Sequence, residues 1–469
     1  MSKLQNFNGR YCESEFESAF LSFLEEEGWE YLPGNSIPRA SKTEVIYLDD
    51  LEQFLCKTNP DLIADEVRQI VDSVRLVGAE SEFSTLHKVY GLMVDGIQFV
   101  PKDGLARMIS LIDFEHPENN IFRAVNQFAV EYVNNGQKET RRPDILLYVN
   151  GMPLCVIELK NPADANATVF DAWEQIYIRY WRDIPHLLHF CPLACISDGV
   201  KTRLGTVRTP YEHFYAWRRI NDGDKVSTLP FEETQTMIKG VYSPERFLEI
   251  FRDYIYFQDR DYDSDEKQIV CRYPQFFATR LLKESIVKSV STKSGKGGTY
   301  FGATGCGKTY TMAFLARQLA LRCTDVPEIG SPTIVLIVDR EELQKQGAKL
   351  FTKSKEFLNL GEVSVVPNRK ILREELGARA SGGFYICTIQ KFCDREDDKI
   401  GLINERANII CFSDEAHRTQ LEHAKKIQFS KDADENMKAM VSKPYAKVLK
   451  EAFPHATFIG FTGDRKSVV

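Results

Sequence analysis

The sequence predicts an α/β chain in two parts: a unit built around a hairpin, then a P-loop unit with a mostly parallel sheet. Three observations predict it. The stretch from Arg142 to Lys160 reads as two apolar, β-rich runs joined by Asn150-Gly151, the strongest short hairpin signal. From about Lys267 onward, strand-like runs alternate with helical ones, the pattern of a parallel sheet covered on both faces. Residues 302–309 read Gly-Ala-Thr-Gly-Cys-Gly-Lys-Thr, a full P-loop between a short strand and a helix.

At 469 residues the chain is too long for one ordinary core. Hydrophobic content of 43% and charged content of 27% are those of a soluble globular protein. No apolar run approaches the roughly 20 residues of a membrane helix, and Met1–Asn8 lacks a signal-peptide pattern, so no membrane partner and a cytoplasmic location are expected. The eleven cysteines are scattered without zinc-site spacing and read as reduced thiols. A net charge of −7 excludes a uniformly basic coat, so any nucleic-acid binding must use local basic stripes.

Residues 13–28 form an amphipathic helix, with Phe16, Phe20, Phe23 and Leu24 on one face and Gly28 as its stop. A second helix is expected over 61–76. Residues 120–134 alternate like a strand leading into the hairpin. Beyond it, a helix over 167–181 carries Gln175, Arg179 and Tyr180, and an apolar strand is expected over 187–197. This first domain is assigned to residues 1–225. A helical connector over 226–265 follows, with a helix at 244–257 and the charged run 259–266.

The hairpin carries the first candidate chemistry. Asp144 opens one strand, and Glu158 and Lys160 close the other on one face, since strand side chains alternate. The turn decides whether Asp144 joins them. A strict two-residue turn pairs Val149 with Met152 and sends Asp144 to the opposite face. A three-residue loop, Val149-Asn150-Gly151 with Gly151 left-handed, sets Asp144 opposite Val156 and on the face of Glu158. Two converging carboxylates would hold a hard divalent cation such as Mg2+, and the lysine would stabilise phosphate charge or poise a water. The competing reading is an exposed hairpin with ordinary surface charges.

The second domain, residues 266–463, opens with a helix over 274–291 and the Gly/Ser/Lys-rich loop 294–298. Strands are expected at 299–301, 333–338, 384–388, 409–413 and 457–461. Gly302, Thr304, Gly305 and Gly307 let backbone N–H groups approach phosphate, and the helix that follows favours negative charge at its N-terminus. Lys308 should reach the β- and γ-phosphates of ATP, and Thr309 should ligate Mg2+. Asp414, at the end of a strand, can hold the same metal, while Glu415 orients the attacking water.

These motifs resemble those of superfamily 2 helicases and translocases: the P-loop as motif I, and Asp414-Glu415-Ala416-His417 as the nucleotide-binding motif II. Gln275 resembles an upstream adenine-reading glutamine, and 460–463 the start of motif III. Val338-Asp339-Arg340 with Leu343, and Thr388–Phe392, resemble DNA-contacting motifs. Together with Arg142-Pro143-Asp144 and Glu158-Leu159-Lys160, the chain resembles the motor and cleavage (R) subunit of type I restriction enzymes over residues 10–463. The resemblance implies a PD-(D/E)xK nuclease followed by a RecA-like domain. It implies catalytic roles for Asp144, Glu158 and Lys160, with metal at Asp144 and Glu158. Glu17 on the first helix is expected to join them, with Glu15 its competitor. Gln175 matches the glutamine of a Gln-x-x-x-Tyr element, whose tyrosine falls one residue late, at Tyr180, with Arg179 in its place.

Double-stranded DNA and the methyltransferase (M) and specificity (S) subunits are the implied partners. Rival expectations are a recombination or repair helicase–nuclease and a catalytically silent scaffold. Cys306 stands where a small hydroxyl residue is usual, so thiol alkylation is expected to reduce ATPase activity and nucleotide to protect it. After Gly463 the pattern departs from motif III, and residues 464–469 read as a non-native tail on an N-terminal fragment without its second RecA-like domain. Such a fragment is expected to bind ATP weakly and not to translocate.

Overall fold

The computed structural model describes residues 13–78, 81–102, 104–161, 168–226, 230–260, 265–303, 305–339, 349–392, 400–414, 427–431, 437–441 and 445–463. The chain divides into two compact units, Met1–Tyr273 and Pro274–Val469.

The first unit is organised on a mixed six-stranded sheet of β1 (Glu30–Pro33), β2 (Phe122–Asn126), β3 (Ile145–Val149), β4 (Met152–Leu159), β5 (Leu193–Ser197) and β6 (Thr202–Thr206), adjacent in that order. β1 and β2 run parallel, as do β4 and β5; the other neighbours are antiparallel. Every residue of β3 and β4 is buried, so both faces are covered. That is why these runs read as continuously apolar rather than alternating. Helix α1 (Glu13–Glu26) packs on β1, β2 and β4 through its phenylalanine face, while Glu15 on its other side is exposed. Gly28 beyond it has φ +104°, the left-handed stop that its position predicts.

The hairpin turn is buried, not exposed. Asn150 and Gly151 both have positive φ (50° and 76°), a two-residue turn of the primed type. Asn150 exchanges backbone and side-chain hydrogen bonds with Ile121 and donates to Leu111 O and Asn120 Oδ1. A Cβ on Gly151 would sit 2.0 Å from Tyr47 O, so only glycine fits. The three-residue loop is therefore corrected: Val149 pairs with Met152. The parity change comes one step later. Tyr148 pairs with Pro153 but Leu147 with Cys155, leaving Leu154 as a bulge. From there Ile145 opposes Ile157, and extending the register by one pair sets Asp144 opposite Glu158.

Three other expectations change. The strand over 120–134 breaks at Gln127 (φ +51°), and Val130–Asn134 leaves the sheet to pair with Gln137–Arg141. Residues 187–197 begin as a helical turn, Pro185–Leu188, and become strand only after Pro192, which has no N–H for a ladder. The helix from Pro244 ends at Asp253, and Ile255–Gln258 form a strand with Lys267–Val270, as suits a β-branched and aromatic run. The helices Pro230–Val241 and Pro244–Asp253 lie within the first unit, where Trp29 Nε1 donates to Tyr242 O at 2.6 Å.

The second unit has a fully parallel six-stranded sheet: β7 (Lys296–Phe301), β8 (Thr333–Val338), β9 (Val363–Val365), β10 (Phe384–Thr388), β11 (Ile409–Ser413) and β12 (Thr457–Thr462), in the order β7-β12-β11-β8-β10-β9. β7 begins inside the expected glycine-rich loop. Its register shifts at Gly297, where a Cβ would lie 2.7 Å from Ile459. β9 is a short edge strand outside the expected set, although Val363-Ser-Val-Val366 is a β-branched run closed by Pro367.

Candidate active site

The carboxylate site sits where β3 starts and β4 ends. Asp144 and Glu158 are both buried, Glu158 completely. Asp144 Oδ2 accepts the Leu159 amide at 2.8 Å, and Glu158 Oε1 accepts the Tyr180 hydroxyl at 2.6 Å. Lys160 Nζ donates to Gln175 Oε1 at 3.0 Å and lies 3.9 Å from Glu158 Oε2. Gln175 Nε2 donates to the Tyr180 hydroxyl at 2.8 Å, closing a ring of four side chains. Burial, then the neighbouring charge of Asp144, pushes the Glu158 carboxyl well above its usual range, against the opposing pull of Lys160 and the Tyr180 hydrogen bond. Burial and Glu158 raise the Tyr180 hydroxyl in the same way.

The late tyrosine is explained by backbone geometry. Helix α2 (Val169–Glu174) continues into a π-helical turn, Gln175–Tyr180. A π-turn takes one more residue than an α-turn, so it absorbs the extra position and returns Tyr180 to the face of Gln175. Arg179, at the expected tyrosine position, instead pairs with Glu174 at 2.7 Å near the surface.

Glu17 is buried at this end of the sheet. Its carboxylate accepts from Asn126 Nδ2 at 2.6 Å and Gln127 Nε2 at 2.8 Å, and the same Gln127 nitrogen lies 3.4 Å from Asp144 Oδ1. Glu17 is thus one amide removed from Asp144. Among the described residues no three metal-binding side chains form a single cluster. Sequence reasoning missed Asn126 and Gln127; a glutamine held at positive φ leaves no signal in a strand-like run.

The residues present fit a divalent cation. Among the described residues no donor lies within hydrogen-bond distance of the buried Glu158 Oε2, which sits beside the Asp144 carboxyl and 3.9 Å from Lys160 Nζ. An anionic oxygen so placed costs free energy unless a proton or cation meets it.

In the second unit, Gly305 (φ +80°) and Gly307 (φ +86°) turn the loop into helix α3 (Lys308–Leu321), for which Gly307 is the left-handed N-cap. Gly302 N donates to Thr462 O at 2.9 Å, tying the loop to the residues expected as motif III. Lys308 Nζ lies on its own loop, 3.3 Å from Gly302 O. Gln275, on the helix Tyr273–Thr292 at the sheet's flank, is buried and donates to Gly307 O at 3.1 Å. Thr309 and Cys306 are half-buried. Asp414 follows β11, and its amide donates to Ile337 O at 2.9 Å. Gln390 Nε2 donates to Asp339 O at 2.7 Å, joining two of the expected DNA-contacting motifs. Thr304, Arg340, Leu343, Glu415 and His417 lie outside the described residues.

Fold and site together define a PD-(D/E)xK nuclease fold followed by a RecA-like P-loop domain. Residues 10–213 match the family described as type I restriction enzyme R protein N terminus, and residues 274–464 the SWI2/SNF2 ATPase family. The chain is 32% identical to the type I restriction enzyme HindI endonuclease subunit of Haemophilus influenzae, over 96% of this chain and 42% of that one. It is 25% identical to the putative type I restriction enzyme MjaIXP endonuclease subunit of Methanocaldococcus jannaschii, over 95% and 42%. A fragment structure of a putative HsdR subunit from Vibrio vulnificus is matched over 74% of this chain and 52% of that one, at 15% identity and a TM-score of 0.21. The match over residues 10–213 assigns that part of the chain to the N-terminal family of type I restriction enzyme R proteins, and the chain spans about two fifths of the length of these two curated relatives.

Proposed function

We propose that the first unit is a magnesium-dependent endonuclease acting on double-stranded DNA, and that the second is the ATP-hydrolysing part of a DNA translocase. Both would serve a cytoplasmic restriction complex with M and S subunits. The observation that carries the nuclease reading is the buried pair of carboxyls, Glu158 and Asp144, with Lys160 held 3.9 Å from the Glu158 oxygen that accepts no donor among the described residues. Asp144 and Glu158 would hold Mg2+, which supplies Lewis-acid stabilisation of the phosphoryl charge. Lys160, steered by Gln175, would orient the attacking water or stabilise the developing charge. Tyr180 is a positioning residue, fixing one oxygen of Glu158 so that the other faces the site. Glu17, through Gln127, would set the orientation of Asp144.

In the second unit, Gly302, Thr304, Gly305, Gly307 and Lys308 would bind the ATP phosphates. Thr309 and Asp414 would hold Mg2+, Glu415 would orient the attacking water, His417 would contact the nucleotide site and Gln275 the adenine.

The test is Asp144→Ala, Glu158→Ala and Lys160→Ala in the protein assembled with M and S subunits. Each should lose DNA cutting and keep ATP hydrolysis. Retained cutting in all three would remove the nuclease assignment and favour a silent scaffold. Cutting without an M subunit, indifferent to site methylation, would point instead to a recombination or repair helicase–nuclease.

A further inference from the structure

A cleft of about 680 Å3 opens beside the carboxylate site, between the loop after β1 and the corner where β2 ends. Its walls carry three cations, Arg39, Lys42 and Arg142, and no carboxylate, in a chain of net charge −7. Asn126 and Gln127 also line it, and they are the amides that hold Glu17. The cleft therefore meets amide groups where it borders the buried acid, not the acid itself.

The cations divide into two kinds. Arg39 is a brace: it donates to Ala129 O at 2.6 Å and Glu44 O at 3.3 Å, and stacks 4.0 Å over the Phe128 ring. Lys42 and Arg142 are exposed and, among the described residues, form no ion pair or side-chain hydrogen bond. By contrast, the nearby cations Lys138 and Arg141 are engaged by Glu131 at 2.7 Å and Asp183 at 2.6 Å. The cleft is also preformed. Gly34 N donates to Asn126 O at 2.9 Å, a Cβ on Gly34 would lie 2.5 Å from that oxygen, and Glu131 N donates to Lys42 O at 3.1 Å.

We propose that this cleft seats the phosphodiester backbone of the strand being cut, with Lys42 and Arg142 gripping phosphates next to the scissile one; the proposal rests on the nuclease reading above. Arg142 stands two residues before Asp144, about 7 Å along an extended chain, a span comparable to the about 3.4 Å axial rise between successive phosphates of one strand taken twice. The volume suits a nucleotide or two of a single strand and not both strands of a duplex. Tyr31, 36% exposed at the rim with its hydroxyl 3.2 Å from Asn126 Oδ1, offers a ring on which a base can stack. The cleft would thus hold one strand by charge and leave sequence unread.

The probe is a labelled short oligothymidylate, bound by the whole chain across a salt series. Lys42→Ala and Arg142→Ala should each weaken binding and lower the slope of log affinity against log salt by about 0.7, the value for one released single-strand contact. Lys138→Ala should leave the slope unchanged. Because the second unit also carries motifs expected to contact DNA, a local readout accompanies the titration. Ser41→Cys, in a background with Cys12, Cys56, Cys306 and Cys393 each replaced by serine and carrying a photo-crosslinker, should form an adduct with the oligonucleotide that maps to position 41. The adduct should vanish in Lys42→Glu/Arg142→Glu and persist in Asp144→Ala. No adduct at Ser41→Cys, or an adduct indifferent to the charge reversals, overturns the proposal. An adduct in a protein whose assembled complex never cuts would overturn the catalytic reading and leave the cleft standing as a strand-binding site.

Discussion

The two candidate sites are assembled in opposite ways. The nucleotide loop is contiguous: Gly302 to Thr309 run from the end of one strand into the first turn of one helix, and two left-handed glycines set its shape. The carboxylate site draws on α1, the end of β2, both strands of the hairpin and the turn after α2, so its side chains span residues 17 to 180. A contiguous site carries its geometry in its own backbone. A dispersed one borrows geometry from packing, and small backbone irregularities decide whether it exists at all.

The largest predicted effect is an asymmetry between these sites. Lys308→Ala should reduce ATP hydrolysis by about 1,000-fold or more, and with it any cutting that depends on translocation. Asp144→Ala should reduce cutting by a similar factor while ATP hydrolysis stays within about twofold. Steady-state phosphate release and plasmid linearisation, measured on the same assembled complex, check both. Equal loss of both activities in Asp144→Ala would mean that the two sites are not separable.

A smaller effect is expected one step out from the carboxylates. In Glu17→Gln an amide N–H2 meets the donor of Asn126 or Gln127, so one of two hydrogen bonds is lost and Gln127 loosens against Asp144. Outer-shell changes of this kind cost about 10–100-fold in metal affinity. Cutting should fall at low Mg2+ and recover at high Mg2+, while the exposed Glu15→Gln behaves as wild type. A Glu17→Gln protein that titrates with Mg2+ like wild type would place Glu17 outside the site.

Stability should move the other way from activity. Glu158 is buried with a raised carboxyl, so in the metal-free protein its ionised form is a liability. The folded state holds the proton to higher pH than the unfolded chain does. The stability it contributes is fully present below the ordinary carboxylate range and is lost as pH rises toward the raised folded value. Glu158→Gln keeps an acceptor for Tyr180 and removes the charge. It should flatten that pH dependence and raise the metal-free melting temperature at neutral pH by a few degrees, about 2–4 °C per kcal/mol recovered in a domain of this size. Without nucleotide, Mg2+ should stabilise wild type and stabilise the variant much less. Calorimetry with and without Mg2+ reads both, and a variant that melts lower than wild type would contradict the buried-charge account.

What was legible in the sequence follows the same division. The strand bounds at 333–338, 384–388 and 409–413 match because each is a short apolar run closed by a polar residue, a local pattern. The identities of Asp144, Glu158 and Lys160 were legible for a similar reason: charged residues at the ends of buried strands stand out. Their convergence was not. It depends on the bulge at Leu154, two pairs beyond the turn, and neither Pro153 nor Leu154 announces which residue will be left unpaired. Gln127 and Asn126 were missed because their role arises from a positive φ at a strand corner.

The smallest predicted effect is the most discriminating. If the π-turn exists to absorb one residue, removing that residue should restore an ordinary α-turn and change little else. Deletion of Arg179 takes out an exposed side chain that pairs with Glu174 one turn earlier and leaves Gln175 and Tyr180 four apart, on one helix face. Tyr180 should still reach Glu158, and the assembled complex should cut within a few-fold of wild type. Deleting Ala172 from the preceding α-turn removes the same length but rotates Trp173 and Gln175 by about 100° relative to the strands, which should pull Gln175 off Lys160 and stop cutting. Equal damage from both deletions would show that the turn is needed for its own shape. Near-wild-type activity in the first alone would show that the dispersed site tolerates a change of backbone as long as the same four side chains close their ring.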